Sequence, residues 1–159
     1  MKRVAVFPGT FDPITFGHVE LVERTLSLFD EVVIAVAMVS GKQTLYTLDQ
    51  RLKQTRAVFK DNTAIKVDAL DGLLVDFVQQ WQQQGHQVTV VRGVRNVMDF
   101  ESEKQQFLVN RLALEYETIF LPTEGLFADI SSTLVRQMIL AKTSQSRLEQ
   151  WVPKEVFSC

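Results

Sequence analysis

The chain has 159 residues, of which 46% are hydrophobic and 23% charged, a composition typical of a globular protein with one sizeable core. The 17 lysines and arginines face 19 acidic residues, and a net charge of −2 excludes a polybasic binder of nucleic acid or membrane. The one cysteine, Cys159, allows neither an intrachain disulfide nor a multi-cysteine metal site. The longest apolar run, residues 32–39, is too short to cross a bilayer. We therefore predict a single cytoplasmic domain over residues 1–159, with neither a nucleic-acid nor a membrane partner.

Five short apolar, β-branched runs predict strands over residues 3–7, 32–39, 64–67, 88–91 and 118–121. Continuous apolar runs of this length are typical of strands buried on both faces, as in a parallel sheet. Between and after them, helical patterns occur within residues 19–29, 48–59, 73–81, 107–115 and 131–140. This alternation predicts an α/β fold: a Rossmann-like, doubly wound, five-stranded parallel sheet with helices on both faces. In such folds ligands bind beyond the carboxyl ends of the strands, near helix N-termini.

The segment after the first predicted strand is the most informative one. Residues 8–18 contain two prolines and two glycines, which fix the backbone and allow a ligand to approach it closely. The glycines match neither a dinucleotide-binding GxGxxG pattern nor a P-loop. His18 falls at the start of a helix, where the dipole and the free N–H groups favour an anion such as phosphate. For His18 alone, a turn with a capping histidine is the simpler alternative.

Further anion-binding groups follow the other predicted strands. Lys42 follows the second, and the pair Arg92 and Arg95 follows the fourth, where two guanidinium groups could hold phosphate oxygens. Taken segment by segment, a solvated loop lysine and two exposed loop arginines are the alternatives. After the fifth strand, a run of three hydroxyl residues at positions 131–133 opens a helix. These hydroxyls fit an N-cap as well as a polyphosphate cradle. Because four strands each end in such a group, the sequence predicts one phosphate site at that edge of the sheet.

The first loop resembles the signature of the nucleotidyltransferases that carry a TxGH or HxGH motif, here Gly9-Thr10-Phe11-Asp12-Pro13 and Thr15-x-Gly17-His18. With Arg92-Gly93-x-Arg95 and Ile130-Ser131-Ser132-Thr133, the chain closely resembles the bacterial phosphopantetheine adenylyltransferase family along essentially its whole length. The resemblance implies transfer of the adenylyl group of ATP to 4′-phosphopantetheine with Mg²⁺, giving dephospho-coenzyme A and pyrophosphate. This is the penultimate step of coenzyme A biosynthesis. The resemblance also implies a cytoplasmic homo-hexamer and suggests coenzyme A as a feedback inhibitor.

The resemblance implies roles for individual residues. His18 would meet the α-phosphate and stabilise the transition state, with Lys42 and Arg95 as further catalytic groups. Phosphopantetheine would be bound by Thr10, Lys42, Leu74 and Arg92. ATP would be contacted by Thr10, Phe11, His18, Gly93, Val94, Arg95, Glu103, Phe127, Ala128, Asp129, Ile130, Ser131, Ser132 and Thr133. No residue is assigned to a metal, since magnesium would be carried mainly by the phosphates of ATP.

The implied reaction suits these residue types. A phosphate monoester is already anionic at neutral pH, so neither a general base nor a covalent enzyme intermediate is needed. The protein has to align two repelling anions and stabilise charge at the α-phosphorus, in line with departing pyrophosphate. We expect His18, Lys42, the two arginines and magnesium to supply positive charge for this. Asp129 is unexpected in a nucleotide loop, since a carboxylate repels phosphate; it either points outward or helps to position a metal.

Two alternatives stay open at this point. Sister enzymes of the same fold, a nicotinamide or nicotinate mononucleotide adenylyltransferase or a cytidylyltransferase, commonly place histidine where Thr15 stands. The second alternative is a non-catalytic module that binds ATP or coenzyme A. It is disfavoured because a sensor has no need of groups such as His18 and Lys42 that act in the transition state.

Overall fold

The computed structural model describes residues 1–39, 43–114 and 116–159. Helices connect five successive strands: β1 (Arg3–Gly9), α1 (Phe16–Leu26), β2 (Glu31–Ala37), α2 (Leu48–Val58), β3 (Ile65–Leu70), α3 (Leu74–Gln83), β4 (Gln87–Val94), α4 (Val97–Leu114) and β5 (Glu117–Pro122). The rest comprises a 3₁₀ turn (Gly125–Phe127), α5 (Ser132–Leu140), α6 (Gln145–Leu148) and a second 3₁₀ turn (Lys154–Phe157). In the part of the chain that is described, no helix is both long and apolar enough to span a membrane.

The five strands form one parallel sheet in the order β3-β2-β1-β4-β5. The first three strands are laid down in one direction, after which the chain crosses back over β1 to place β4 on its other side. The carboxyl ends of β1 and β4 therefore meet at the point where the strand order reverses. In open α/β sheets this reversal leaves a crevice for ligands. The predicted fold class, a doubly wound parallel α/β sheet, is confirmed.

Alternate residues of the central strands enter two separate cores, as the two-residue period of a strand requires. In β1, Ala5 and Phe7 pack with apolar residues of α1, α2 and α5, whereas Val4 and Val6 pack with residues of α3. Helices thus cover both faces of the sheet, and the residues that leave the end of β1 are supported from both sides.

Most element boundaries are shifted by a few residues from those expected, and three of the differences are informative. The first helix ends at Leu26, so that Phe29 reaches the core from the following turn rather than from the helix. The edge strand β3 continues to Leu70, whereas the predicted strand ended at residue 67 because Asp68 interrupts the apolar run. The fourth helix begins at Val97, ten residues before the predicted pattern. Its first turn is stabilised by Asn96, whose side chain accepts a hydrogen bond from the Asp99 N–H at 2.9 Å.

Candidate active site

A cavity of about 350 Å³ lies at the carboxyl ends of β1 and β4. The predicted site residues that line it are Thr10, Phe11, His18, Arg92, Gly93, Arg95, Ile130, Ser131, Ser132 and Thr133. The first turns of α1 and α5 both face this space. Arg136 lines it as well, which makes three arginines, and none of the described lining residues is acidic. Two helix N-termini and three guanidinium groups around one cavity form a site for a highly charged anion.

His18 lies in the first turn of α1, with its ring against the buried loop. Its Nδ1 accepts a hydrogen bond from the Thr15 backbone N–H at 3.0 Å, so the neutral ring carries its proton on Nε2. The Phe11 ring packs edge-on against the imidazole, with 4.9 Å between centroids. Desolvation by burial, assisted by the charge of Arg95, lowers the pKa of His18 to about 4. With this pKa His18 is neutral at pH 7, so it offers a hydrogen-bond donor rather than the positive charge expected from the sequence.

Phe11 has an unusual backbone conformation for a buried aromatic residue. Its φ is +50°, in the left-handed region, and its side chain is buried. The ring also lies against the end of β1, where a Cβ built on Gly9 would stand 3.0 Å from its edge. The absence of a side chain at Gly9 thus lets the Phe11 ring fold back under the loop and support His18.

Arg92 points from the end of β4 into the cavity and is held by three hydrogen bonds. Its Nε and Nη2 form a two-pronged ion pair with Glu103 of α4, at 2.9 and 2.6 Å. Its Nη1 donates to the Pro8 carbonyl at 3.2 Å. Glu103, predicted to contact ATP, does not line the cavity and instead orients Arg92. The guanidinium is therefore oriented before any ligand binds, which lowers the entropy lost on binding a phosphate.

Arg95 is paired with Asp99, one turn further along the chain. The same Asp99 oxygen accepts from the Arg95 Nε and from its backbone N–H, both at 3.2 Å. The Arg95 side chain is partly exposed to the cavity and adds a positive field next to His18.

The hydroxyl residues at the start of α5 act partly as caps. Ser131 accepts from the Leu134 N–H at 3.1 Å, and Ser132 donates to the Pro13 carbonyl at 2.8 Å. These bonds join the start of α5 to the loop after β1. The structure is compatible with both interpretations of this segment, an N-cap and a polyphosphate cradle, because the capping residues also line the cavity.

Arg136 is a cavity residue that sequence reasoning missed. Its Nη2 donates to the Thr133 hydroxyl at 3.1 Å, and its Nη1 donates to the Asp12 carbonyl at 2.9 Å. Its position in the sequence could have indicated this role, because a residue three positions after Thr133 lies on the same face of a helix as Thr133. A cation on that face stands beside the helix N-terminus and strengthens its attraction for phosphate.

Several predicted site residues lie away from the cavity. Glu103, Leu74, Val94, Phe127, Ala128 and Asp129 are not among its lining residues. Leu74 opens α3 and packs partly on the second core, while the exposed position of Asp129 favours the outward orientation. Lys42 lies outside the described residues. The cavity thus accounts for most of the predicted ATP residues but not for the proposed pantetheine contact at Leu74.

Gly93 lies where β4 packs against Leu21 of α1. A Cβ built on it would overlap Cδ1 of Leu21, a buried residue that also lines the cavity. We expect Gly93→Ala to lower the free energy of unfolding by about 1–3 kcal/mol, the usual cost of overpacking, as measured by urea denaturation.

Gly17→Ala is the matched control for this change, since a Cβ on Gly17 would make only ordinary contacts from 3.5 Å. Adding Leu21→Val, which removes the overlapping methyl group, should recover part of the stability lost in Gly93→Ala. An equal loss in Gly93→Ala and Gly17→Ala would contradict the packing argument.

Comparison with known proteins agrees with this geometry. Residues 6–138 match the cytidylyltransferase-like family. Phosphopantetheine adenylyltransferase of Francisella tularensis subsp. mediasiatica is 44% identical over 158 residues, covering 99% of this chain and 94% of the relative. The subsp. novicida enzyme of the same name shows the same identity and coverage. The chain belongs to the phosphopantetheine adenylyltransferase family. It is therefore a nucleotidyltransferase, as the resemblance of its motifs implied.

Solved structures support the fold independently. Plasmodium falciparum nicotinic acid mononucleotide adenylyltransferase complexed with NaAD has a TM-score of 0.75 and 13% identity, covering 98% of this chain and 93% of that one. A putative nicotinate-nucleotide adenylyltransferase from Vibrio parahaemolyticus has a TM-score of 0.72 and 19% identity, covering 99% and 91%. At such identities the likeness establishes the shared fold and carries no statement about substrate.

Proposed function

We propose that this chain transfers the adenylyl group of ATP to 4′-phosphopantetheine, producing dephospho-coenzyme A and pyrophosphate. The observation that carries the proposal is the cavity between β1 and β4, where three arginines and two helix N-termini converge and none of the described lining residues is a carboxylate. Membership of the phosphopantetheine adenylyltransferase family favours this acceptor over the mononucleotides named for the structural neighbours.

In this reaction an oxygen of the acceptor phosphate attacks the α-phosphorus of ATP. The bond from the α-phosphorus to the bridging oxygen breaks, and pyrophosphate leaves in line with the attack. His18, neutral with its proton on Nε2, donates a hydrogen bond to the α-phosphate as charge develops there. Arg92, Lys42 and Thr10 hold the acceptor phosphate. Arg95, Arg136 and the start of α5 hold the β- and γ-phosphates, which keeps the two anions aligned.

Magnesium enters this reaction as part of the substrate MgATP. The cavity lining that is described supplies hydroxyl, imidazole and guanidinium groups, whereas Mg²⁺ prefers anionic oxygen ligands. The phosphate oxygens of ATP meet that preference better than these side chains do. We accordingly propose that the metal is carried by the nucleotide.

We also propose that residues 1–159 form one domain that assembles as a cytoplasmic homo-hexamer and is inhibited by its downstream product coenzyme A. Apolar side chains on one helix support association: Val97, Met98 and Leu112 of α4 are 76%, 83% and 86% exposed. Such residues are unfavourable in water and are common at interfaces between subunits. Light scattering coupled to gel filtration tests the assembly, since a monomer mass would refute it.

The decisive experiment measures magnesium-dependent pyrophosphate release from ATP with 4′-phosphopantetheine, nicotinamide mononucleotide or nicotinate mononucleotide as the acceptor. CTP with glycerol 3-phosphate serves as the cytidylyltransferase control. We expect release with phosphopantetheine alone, together with the mass of dephospho-coenzyme A. Release with another acceptor would move the chain to a sister activity, and tight ATP binding without any release would indicate a sensor.

A further inference from the structure

Two buried charged residues stand beneath the cavity rather than in it. Arg51 of α2 and Asp12 of the loop after β1 are each 2% exposed, and neither is among the residues that line the cavity. Burial lowers the pKa of the Arg51 guanidinium, while the negative charge of Asp12 acts in the opposite direction. Burying a charge is costly unless hydrogen bonds replace its hydration. The bonds that these two residues make therefore indicate why the fold contains them.

Arg51 joins three separate segments through one guanidinium group. Its Nη1 donates to the carbonyls of Thr10 at 2.7 Å and Ala37 at 2.8 Å, and its Nε donates to that of Tyr46 at 3.2 Å. These carbonyls belong to the loop after β1, the last residue of β2 and the segment that enters α2. The planar guanidinium group reaches all three at once, which the single ammonium group of lysine cannot reproduce.

Asp12 makes a second connection between the same segments. Its two carboxylate oxygens accept from the backbone N–H groups of Leu45 at 2.8 Å and Tyr46 at 2.9 Å. Its backbone carbonyl accepts from Arg136, whose guanidinium also lies 3.8 Å from the carboxylate. Asp12 thereby ties the loop after β1 both to the entrance of α2 and to α5.

These bonds fall on both sides of the segment that carries Lys42. Ala37 precedes that segment, whereas Leu45 and Tyr46 follow it, and all three are bound to Arg51 or Asp12. Thr10, at the other end of the connection, is bound to Arg51 through its own carbonyl. Arg92 is oriented separately by Glu103 and Pro8.

We propose that Arg51 and Asp12 are positioning residues for the acceptor phosphate, because together they fix the loop that carries Thr10 relative to Ala37 and Tyr46, described residues on either side of position 42. The inference rests on the proposed function, which assigns Thr10 and Lys42 to that phosphate. ATP depends less on this connection, since its other proposed contacts at His18, Arg95 and the start of α5 lie on different elements. Arg136 is hydrogen-bonded to the backbone carbonyl of Asp12, which a change of the Asp12 side chain retains. A change at Arg51 or Asp12 therefore affects the two substrates unequally.

The test uses the full-length Arg51→Lys variant and measures both substrates by calorimetry and steady-state kinetics. We expect the Kd and KM for 4′-phosphopantetheine to rise ~10-fold, since lysine keeps the charge but cannot make all three bonds. The Kd for ATP should change much less. Asp12→Asn should act in the same direction, because an amide nitrogen would face one of the two N–H donors.

Arg56→Lys is the matched control for Arg51→Lys. Arg56 lies on the same helix and also binds a backbone carbonyl, donating from Nε at 3.2 Å and Nη2 at 3.0 Å to Val67 of β3. That carbonyl is outside the cavity, so neither substrate should lose affinity. The Asp12→Asn/Arg51→Lys double variant should lose less acceptor affinity than the two single changes predict together, since both act on the same connection.

Equal losses of ATP and acceptor affinity in Arg51→Lys and Asp12→Asn would overturn the inference, as would an unchanged acceptor Kd with a lowered Tm. Should Arg51→Lys fail to fold, the same comparison in Asp12→Asn decides. Wild-type protein that binds ATP but no phosphopantetheine would overturn the proposed function itself, and that result is visible before any variant is made.

Discussion

Replacing His18 by alanine is expected to lower kcat ~10²–10³-fold, the usual effect of losing one donor to a developing oxyanion. The Nε2–H is oriented by the bond between Nδ1 and the Thr15 N–H, so it is available without reorganisation at the moment of reaction. The affinity for ATP should fall much less, because Arg95, Arg136 and the start of α5 also contribute to the cavity. Single-turnover kinetics and calorimetry separate these two quantities.

His18→Gln provides the matched control for His18→Ala. Its amide NH₂ can stand near the place of Nε2–H, whereas alanine offers no donor, so glutamine should retain more of the turnover. If calorimetry showed that His18→Ala abolishes ATP binding while turnover per bound ATP stays normal, the role in the transition state would be wrong.

The pKa of His18 also determines a pH dependence of stability. Its folded-state value of about 4 is below the ordinary 6.5, so the unfolded chain binds more protons between these two values. His18 therefore destabilises the fold progressively as pH falls from about 6.5 towards about 4, and this contribution levels off outside that window. Urea denaturation as a function of pH should show a shallower loss of stability in His18→Gln than in the wild type. Equal slopes over this window would contradict the assignment.

Replacing Arg92 by alanine is expected to weaken 4′-phosphopantetheine binding ~10²-fold while ATP binding is largely retained. The variant loses a guanidinium that faces the cavity and leaves the Glu103 carboxylate without the partner that now lies at 2.6 Å. Truncating one member of a hydrogen-bonded charge pair is costly partly because the other charge is then uncompensated. Calorimetry with each substrate measures the two affinities.

The Glu103→Gln change distinguishes two causes of the lost acceptor affinity in Arg92→Ala, namely the missing guanidinium and the unpaired Glu103 carboxylate. If the unpaired carboxylate repels the acceptor phosphate, Arg92→Ala/Glu103→Gln should bind phosphopantetheine more tightly than Arg92→Ala alone. Arg111→Ala is the matched control, since Arg111 pairs with Glu117 at 3.8 Å, with both side chains more than half exposed. Equal loss of ATP and acceptor affinity in Arg92→Ala would refute the assignment of Arg92 to the acceptor phosphate.

The charge of His18 and the hydrogen-bond partner of Arg92 are two features of the site that could not be predicted from the sequence. The pattern around His18 placed it at a helix start near a phosphate site, yet its charge depends on how far the Phe11 ring and neighbouring atoms desolvate it. Arg92 was expected to face a phosphate, whereas its partner Glu103 lies in the part of α4 that precedes the predicted pattern. Exposed Val97 and Met98 obscured that start, because the apolar period of a helix is informative only where one face is buried.

By itself, the sequence determined the alternation of strands and helices, the parallel sheet and the loops after β1, β4 and β5 that line the cavity. These follow from patterns within about ten residues: apolar runs, helical spacing, and the Pro/Gly-rich segment before His18. Only the tertiary structure decided which strands are neighbours and which side chains support the site. Arg136 reaches Asp12 across 124 positions and Arg51 reaches Thr10 across 41. Such partners are brought together by packing on the sheet, since local periodicity states which face a residue occupies but not what lies opposite it.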